Sequence, residues 1–139
     1  MDNCLMCGQP LLKKSQYKYC SNLCQSKEKY QKFVQQWRTG LTDGSRGVST
    51  RCISRHVRHY LEEKSGSKCS LCGWNQKNPV TGKVPLEIDH INGNSEDNRE
   101  ENLRIICPNC HSLSPSYRNL NRGHGRVWRS NKYLKNTSR

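Results

Sequence analysis

The stretch LEIDHINGNSEDNREENLRIICPNCH, residues 86–111, decides the fold of this chain. It opens with an extended pattern in which Leu86, Ile88 and His90 alternate with acidic residues, as in a short β-strand. The polar run NGNSEDN then predicts a loop, NLRII predicts a second short strand, and CPNCHSLSPSYRNL predicts the start of a helix. Strand, loop, strand and helix in this order indicate a small α+β unit.

The same stretch carries side chains suited to hydrolysis. Asp89 and His111 offer a carboxylate and an imidazole that can hold a divalent ion, and His90 offers a second imidazole that can accept a proton. Neighbouring residues of a strand point to opposite sides, so Asp89 can bind the ion while His90 faces the attacking water. Two protein ligands leave room for waters and phosphate oxygens. We therefore expect Mg²⁺ at this site, with Mn²⁺ or another divalent ion as the alternative.

These residues resemble the phage-type HNH nucleases, also called ββα-metal endonucleases. The resemblance rests on three motifs: DH at residues 89–90, NL at residues 102–103 and CPNCH at residues 107–111. It covers about residues 51–120. It implies a treble-clef-like ββα-metal module and the cleavage of DNA. It also implies that Asn102 does not touch the substrate but braces the loop between the strands, a role that Asn92, Asn94 and Asn98 could share.

The cysteines predict two structural zinc sites. Two thiolates on a tight turn can reach one ion, and eight of the nine cysteines form short-spaced pairs. The alternative, a disulfide-rich secreted protein, is disfavoured by the odd cysteine count and by the lack of an apolar signal segment. We expect the reducing cytoplasm of a bacterium or a phage-infected cell, and we interpret Cys52 as a buried or free thiol. The predicted ligands are Cys4, Cys7, Cys20 and Cys24 for one zinc, and Cys69, Cys72, Cys107 and Cys110 for the other.

The composition predicts a fold that depends on these metals. Only 32% of the 139 residues are hydrophobic, there is a single Phe, and the mean hydropathy is −1.01. Such a chain cannot build a large core, and it has no apolar run of ~20 residues that would imply a membrane partner. The predicted organisation is a zinc finger plus helix at 1–38, a linker at 39–50, an HNH module at 51–121 and a basic tail at 122–139.

Two helices are predicted outside the HNH stretch. The run from Leu23 to Trp37 lacks Pro and Gly and carries an apolar stripe at helical spacing, which we interpret as a packing surface. A second helix is predicted from Thr50 to Lys64. His56 and His59 lie three residues apart on it, a spacing that could hold a metal. Because each lies next to an arginine and neither has a cysteine or carboxylate in register, we interpret both as surface or phosphate-facing residues.

The charge predicts a nucleic-acid partner, which we expect to be double-stranded DNA. The formal net charge is +13, and two zinc ions on eight thiolates would lower it to about +9. No acidic residue follows Glu101, whereas basic residues continue to the C-terminus. Such a field attracts a polyanion, although a solvated tail that orders only on DNA is compatible with it. The candidate contacts are Arg118, Arg122, Arg126, Arg129 and Lys132.

The main rival is a zinc-dependent DNA-binding regulator without catalysis. It would share the cysteines and the charge, but it would not need Asp89, His90 and His111 in register. Among nucleases, homing, defence and packaging roles remain open. The absence of a large specificity domain favours a free-standing phage or mobile-element enzyme of the homing type. Nicking and double-strand cleavage stay open because they depend on the oligomeric state, which the sequence does not reveal.

Overall fold

The computed structural model describes residues 2–46 and 52–121. Contacts between residues divide the chain into two compact units, Met1–Leu41 and Thr42–Arg139. The tail predicted at 122–139 lies outside the described residues, as does the end of the linker predicted at 39–50. The domain boundaries drawn from the sequence therefore stay predictions.

The first unit begins with a tight turn that carries two cysteines. An antiparallel backbone bridge joins Asn3 to Pro10. Between them, the Gly8 N–H donates to the Cys4 carbonyl at 2.9 Å. Gly8 has a φ of 73°, which glycine adopts without the steric cost that a Cβ would add. The turn brings the thiols of Cys4 and Cys7 close to each other.

The helix predicted in the first unit is present as α1, Asn22–Arg38. Its N-cap is Ser21, whose hydroxyl accepts a hydrogen bond from the backbone N–H of Cys24 at 3.2 Å. Val34 and Trp37, two members of the apolar stripe, are buried. In the described parts of the chain, no helix combines the length and the apolar character needed to cross a bilayer.

The second unit opens with a helix that starts later than the sequence suggested. This helix, α2, spans Arg55–Ser65, so the predicted start at Thr50 was wrong. Ser54 takes an extended conformation, and its hydroxyl accepts from the backbone N–H of His56 at 3.0 Å, which makes Ser54 the N-cap. The helix ends at Ser65 and is capped by Gly66, which has a left-handed φ of 65°.

The remaining elements follow the order that the sequence indicated. Strands β1, Glu87–His90, and β2, Leu103–Ile106, pair antiparallel in a two-stranded sheet. The loop between them ends in a 3₁₀ turn at Glu100–Asn102, and a short helix, α3, follows at Pro108–Ser112. This is the small α+β arrangement of two strands and a helix expected for the ββα module.

Helix α2 packs against β2 and contributes Val57 and Leu61 to the small core of this unit. It also holds the end of the β1–β2 loop, because the Tyr60 hydroxyl and the Lys64 ammonium donate to Glu100 Oε1 at 2.7 and 2.9 Å. The helix therefore stabilises both the sheet and the loop beside it. The buried apolar residues of this unit are Val57, Leu61, Leu86, Leu103, Ile105 and Ile106, together with Cys69 and Cys107.

Candidate active site

Four predicted zinc ligands meet in the second unit. The sulfurs of Cys69, Cys72, Cys107 and Cys110 all lie within 4.8 Å of one another, and those of Cys72 and Cys107 are 3.8 Å apart. Tetrahedral zinc with bonds of ~2.3 Å holds its sulfurs ~3.8 Å apart, whereas sulfurs in a disulfide are ~2.05 Å apart. All nine cysteines are free thiols. The cluster therefore fits a structural zinc and excludes a disulfide.

The four predicted ligands of the first unit form a similar cluster. Cys4, Cys7, Cys20 and Cys24 also have sulfurs within 4.8 Å of one another. The Cys20 sulfur lies 3.6 Å from that of Cys7 and 3.5 Å from that of Cys24. Both cysteine sets thus have a geometry that could hold zinc.

The thiols of the second cluster have divergent acidities in the absence of a cation. Burial raises the pKa of Cys69, but backbone hydrogen bonds from Cys107, Cys72 and Leu71 outweigh it and lower the pKa to about 6. The Cys110 pKa is raised to about 12, first by its hydrogen bond with the Cys72 thiol. Four neighbouring thiolates repel one another, so full ionisation of the cluster requires a dication such as Zn²⁺.

The second cluster also fixes the start of α3. The backbone N–H and hydroxyl of Ser70 donate to the Ile105 carbonyl at 3.0 and 2.7 Å, which ties the first cysteine pair to β2. The Cys107 sulfur caps α3 by accepting from the backbone N–H of Cys110 at 3.4 Å. His111 comes next in the chain. A metal in this cluster would therefore hold the backbone that carries His111.

Asp89 and His111 approach each other on one side of β1. The Asp89 side chain is 3% exposed, and Arg104, its register partner on β2, donates from Nε to Asp89 Oδ2 at 2.7 Å. The other oxygen, Oδ1, lies 3.9 Å from His111 Nε2. In an octahedral shell with bonds of ~2.1 Å, ligand atoms lie ~3.0 Å apart when adjacent and ~4.2 Å apart when opposite. The 3.9 Å separation lies between these two values, so the Asp89 and His111 atoms are close enough for both to reach one divalent ion.

Glu87 is a neighbour of His111 that the sequence analysis missed. Its Oε2 contacts Nδ1 of His111, the ring nitrogen that faces away from Asp89. Strand alternation places Glu87 on the same side of β1 as Asp89, so the signal was present in the sequence. A carboxylate against one ring nitrogen fixes the proton there and leaves the other nitrogen free to bind metal.

His90 lies on the opposite side of β1 from Asp89. Its Nε2 is 2.8 Å from Oδ1 of Asn98, whose side chain is buried at 4% exposure. The structure therefore separates the two histidines: His111 faces two carboxylates, and His90 faces an amide in the β1–β2 loop.

Asn102 makes several hydrogen bonds within that loop. Its Oδ1 accepts from the Asn92 backbone N–H at 3.0 Å, and its Nδ2 donates to the Asp97 carbonyl at 2.8 Å and to Asn92 Oδ1 at 2.9 Å. Hydrogen bonds from the Arg99 guanidinium, opposed in part by burial, hold the pKa of Asp97 at about 2. The loop is thus tied together at several points, and Asn102 lies at the centre of these contacts.

Only one of the predicted DNA contacts lies in the described part of the chain. Arg118 is exposed, and its guanidinium lies 5.0 Å from the centroid of the Tyr117 ring, which in turn packs edge-on against His111 at 5.2 Å. This arrangement places a cation two contacts away from the Asp89–His111 pair. The other four candidates, Arg122, Arg126, Arg129 and Lys132, lie outside the described residues.

The other residues considered in the sequence analysis, His56, His59 and Cys52, do not form a second catalytic site among the described residues. His59 is exposed and pairs with Glu63 at 3.2 Å on the same helix, and neither it nor His56 belongs to a metal-binding group among the described residues. Cys52 is a free thiol and is exposed.

Comparison with known proteins agrees with this geometry. Residues 69–114 match the HNH endonuclease family model. The H-N-H endonuclease F-TflIV of Escherichia phage T5 is 41% identical over 83 residues, which are 60% of this chain and 34% of that protein. The Zorya protein ZorE of Escherichia coli is 34% identical over 68 residues, 49% of this chain and 17% of that protein.

The chain spans about a third of the length of the phage relative and about a sixth of the other. No solved structure matches it significantly. The family match begins at the first zinc ligand of the second unit and ends just after α3, so it encloses the sheet, the loop and both histidines. Residues 69–114 of this chain therefore match an HNH endonuclease domain.

Proposed function

We propose that this chain is a metal-dependent DNA endonuclease in which His90 is the general base and a divalent ion is held by Asp89 and His111. The observation that carries the proposal is the 3.9 Å approach of Asp89 Oδ1 to His111 Nε2, with His90 on the other side of the same strand. A protein that only binds DNA has no need for this register. The HNH match over the same residues supports the proposal.

Each side chain of the site has a separate task in this reaction. A bound Mg²⁺ would stabilise the negative charge on the phosphate and on the departing 3′-oxygen. His90 accepts the proton of the attacking water, because one nitrogen of a neutral imidazole carries a lone pair. Asp89 supplies negative charge for the ion through Oδ1, while Arg104 holds Oδ2. Glu87 keeps the proton of His111 on Nδ1, which leaves Nε2 to bind the ion.

Double-stranded DNA is the proposed substrate, with Asn102 bracing the loop rather than touching it. The net charge of +13 and the exposed Arg118 beside the site support a polyanionic ligand. We also propose that the enzyme is a phage or mobile-element nuclease acting in the cytoplasm of a bacterial or phage-infected cell. The phage T5 relative, which is named as an endonuclease, supports this assignment.

The experiment is a time course of the purified zinc-loaded protein with supercoiled plasmid and Mg²⁺. We expect relaxed circles or linear DNA to appear, and none to appear with EDTA. His90→Ala should lower the cleavage rate by about 10²–10⁴-fold, the usual contribution of a general base, while DNA and metal binding persist. His59→Ala is the matched control, because His59 is an exposed histidine that pairs with Glu63 on α2.

The metal dependence separates the two histidines. Asp89→Ala and His111→Ala remove ligands, so high Mg²⁺ or Mn²⁺ should restore part of their activity, less for Asp89→Ala because it also removes a charge. The same additions should not restore His90→Ala. If metal rescued only His90→Ala, the proposed roles would be reversed. If all three variants cleaved at the normal rate, this site would not be the active site.

A further inference from the structure

We infer that Asn98 is a positioning residue for His90: its amide oxygen holds the ring through Nε2 and so presents Nδ1 to the attacking water. This inference rests on the proposed function, because it assigns the nitrogen through which His90 acts. It also concerns a residue whose action is indirect. Asn98 would touch neither DNA nor metal, and its effect would pass entirely through the imidazole.

The contact itself determines the tautomer. Oδ1 of Asn98 lies 2.8 Å from His90 Nε2, a normal hydrogen-bond distance. An amide oxygen can only accept, so in the neutral ring Nε2 carries the hydrogen and Nδ1 carries the lone pair. A general base needs that lone pair. The contact therefore selects Nδ1 as the basic atom and excludes Nε2.

The Asn98 side chain is itself held in place. Asn102 Nδ2 donates to the Asp97 carbonyl at 2.8 Å, and the Asn102 backbone N–H donates to the Arg99 carbonyl at 3.0 Å. Asn102 therefore fixes the residues on both sides of Asn98. With its side chain 4% exposed, Asn98 cannot turn into solvent without opening the loop. The bracing expected of Asn102 would thus reach the base through Asn98.

The two histidines of the site are held in opposite ways, which agrees with different tasks. Glu87 contacts Nδ1 of His111 and leaves Nε2 toward Asp89. Asn98 contacts Nε2 of His90 and leaves Nδ1. A carboxylate partner makes a ring a better metal ligand, whereas a neutral amide orients the ring of a base without adding a charge beside it.

The test uses Asn98→Leu, which removes the acceptor oxygen at similar volume, and Asn98→Asp, which keeps an acceptor. We expect Asn98→Leu to lower kcat by about 10–100-fold, as loss of an orienting partner usually does, with KM and the Mg²⁺ requirement unchanged. Asn98→Asp should retain most of the kcat. Asn78→Leu is the matched control, because Asn78 lies in a different loop, where its side-chain oxygen accepts from the backbone N–H groups of Val80 and Thr81.

A double-mutant cycle separates positioning from a structural effect. In the His90→Ala background, Asn98→Leu should cause no further loss, because there is no ring left to orient. Zinc content and thermal unfolding check that each variant is folded. If Asn98→Leu does not fold, Asn98→Ser replaces it, since a serine hydroxyl is too short to reach Nε2, and the same loss of kcat is expected.

Three results would overturn the inference. Asn98→Leu could cleave at the normal rate, it could lose as much activity in the His90→Ala background as in the native one, or its defect could lie in KM or in metal affinity. Any of these, with His90→Ala still inactive, would leave the proposed function intact. Normal cleavage by His90→Ala would overturn both.

Discussion

The two cysteine clusters are alike at their first cysteine pair. In each, the first cysteine is buried, with Cys4 at 3% and Cys69 at 1% exposure, and a glycine with left-handed φ follows the pair. Burial raises the pKa of both first thiols, but backbone hydrogen bonds outweigh it and lower each pKa to about 6. The same turn, ended by Gly8 or Gly73, prepares a thiolate for zinc in both units.

The clusters differ at their second pair, and this difference would separate a purely structural site from one that supports the proposed active site. In the first unit Ser21 caps α1, a helix of 17 residues that carries none of the proposed catalytic groups. In the second unit the ligand Cys107 itself caps α3, and His111 follows Cys110 directly. The second zinc would therefore position a candidate metal ligand, whereas the first would only hold the start of a helix.

The largest effect should come from removing a matched ligand in each unit. Cys69→Ser should unfold the second unit and abolish cleavage, because a structural zinc contributes about 10–16 kcal/mol and the core of this unit is small. Cys4→Ser should leave that unit folded and still able to cut DNA. Native mass spectrometry counts the zinc ions, and the plasmid assay reports activity. Loss of cleavage in Cys4→Ser would show that the first cluster also supports the site.

The next largest effect should come from replacing glycines that have nearly the same φ but different neighbours. Gly93 has a φ of 74°, and a Cβ there would lie 2.8 Å from Oδ1 of Asn121, whose Nδ2 donates to the Gly93 carbonyl at 2.7 Å. Gly8 and Gly73 have φ values of 73° and 74° and nothing within 4 Å of a Cβ.

Gly8→Ala and Gly73→Ala should therefore cost about 1–2 kcal/mol each from the backbone alone. Gly93→Ala should cost about 1 kcal/mol more because the Asn121 hydrogen bond is lost as well, and it should slow cleavage by displacing the loop. Chemical denaturation of the zinc-loaded variants measures the difference. Equal costs at all three positions would mean that Asn121 yields without penalty.

The sequence could predict those features of the two units that depend on residues close together in the chain. Cysteine spacing indicated both clusters, and alternation around Asp89 indicated β1. The start of α2 was missed although Ser54 is a good N-cap, because the apolar pattern was extended past it. The contacts of Arg104 and Asn98 could not be predicted, since they depend on the strand register and on the path of the loop, which three-dimensional packing determines.

A third, smaller effect tests whether zinc alone positions His111. Glu87→Ala should raise the Mg²⁺ concentration needed for half-maximal cleavage by about 10–100-fold, because the ring loses the partner that fixes its tautomer. Glu101→Ala is the control, since Glu101 is exposed and pairs only across the surface with Arg99 at 3.2 Å. An unchanged Mg²⁺ requirement in Glu87→Ala would indicate that the zinc-held backbone is sufficient to orient the imidazole.

The smallest effect should come from removing the N-cap serines of α1 and α2. It distinguishes a helix start that is held by a metal from one that is held by its cap alone. Ser21 and Ser54 cap α1 and α2 through hydrogen bonds of 3.2 and 3.0 Å. Loss of such a cap usually costs about 1 kcal/mol. At α1 the ligands Cys20 and Cys24 flank the first turn, so bound zinc should hold it when the hydroxyl is removed. At α2 nothing comparable is present among the described residues, and Ser54 is buried at 5% exposure.

We therefore expect Ser54→Ala to cost about 1 kcal/mol or slightly more, and Ser21→Ala clearly less while zinc is bound. Hydrogen exchange of the first-turn amides measures each helix start separately, and a threonine in place of either serine should restore protection. Because the metal is what makes Ser21 dispensable, removing zinc should enlarge the Ser21→Ala effect. If Ser21→Ala is as costly as Ser54→Ala in the zinc-loaded protein, the first cluster does not hold α1 and its function must lie elsewhere.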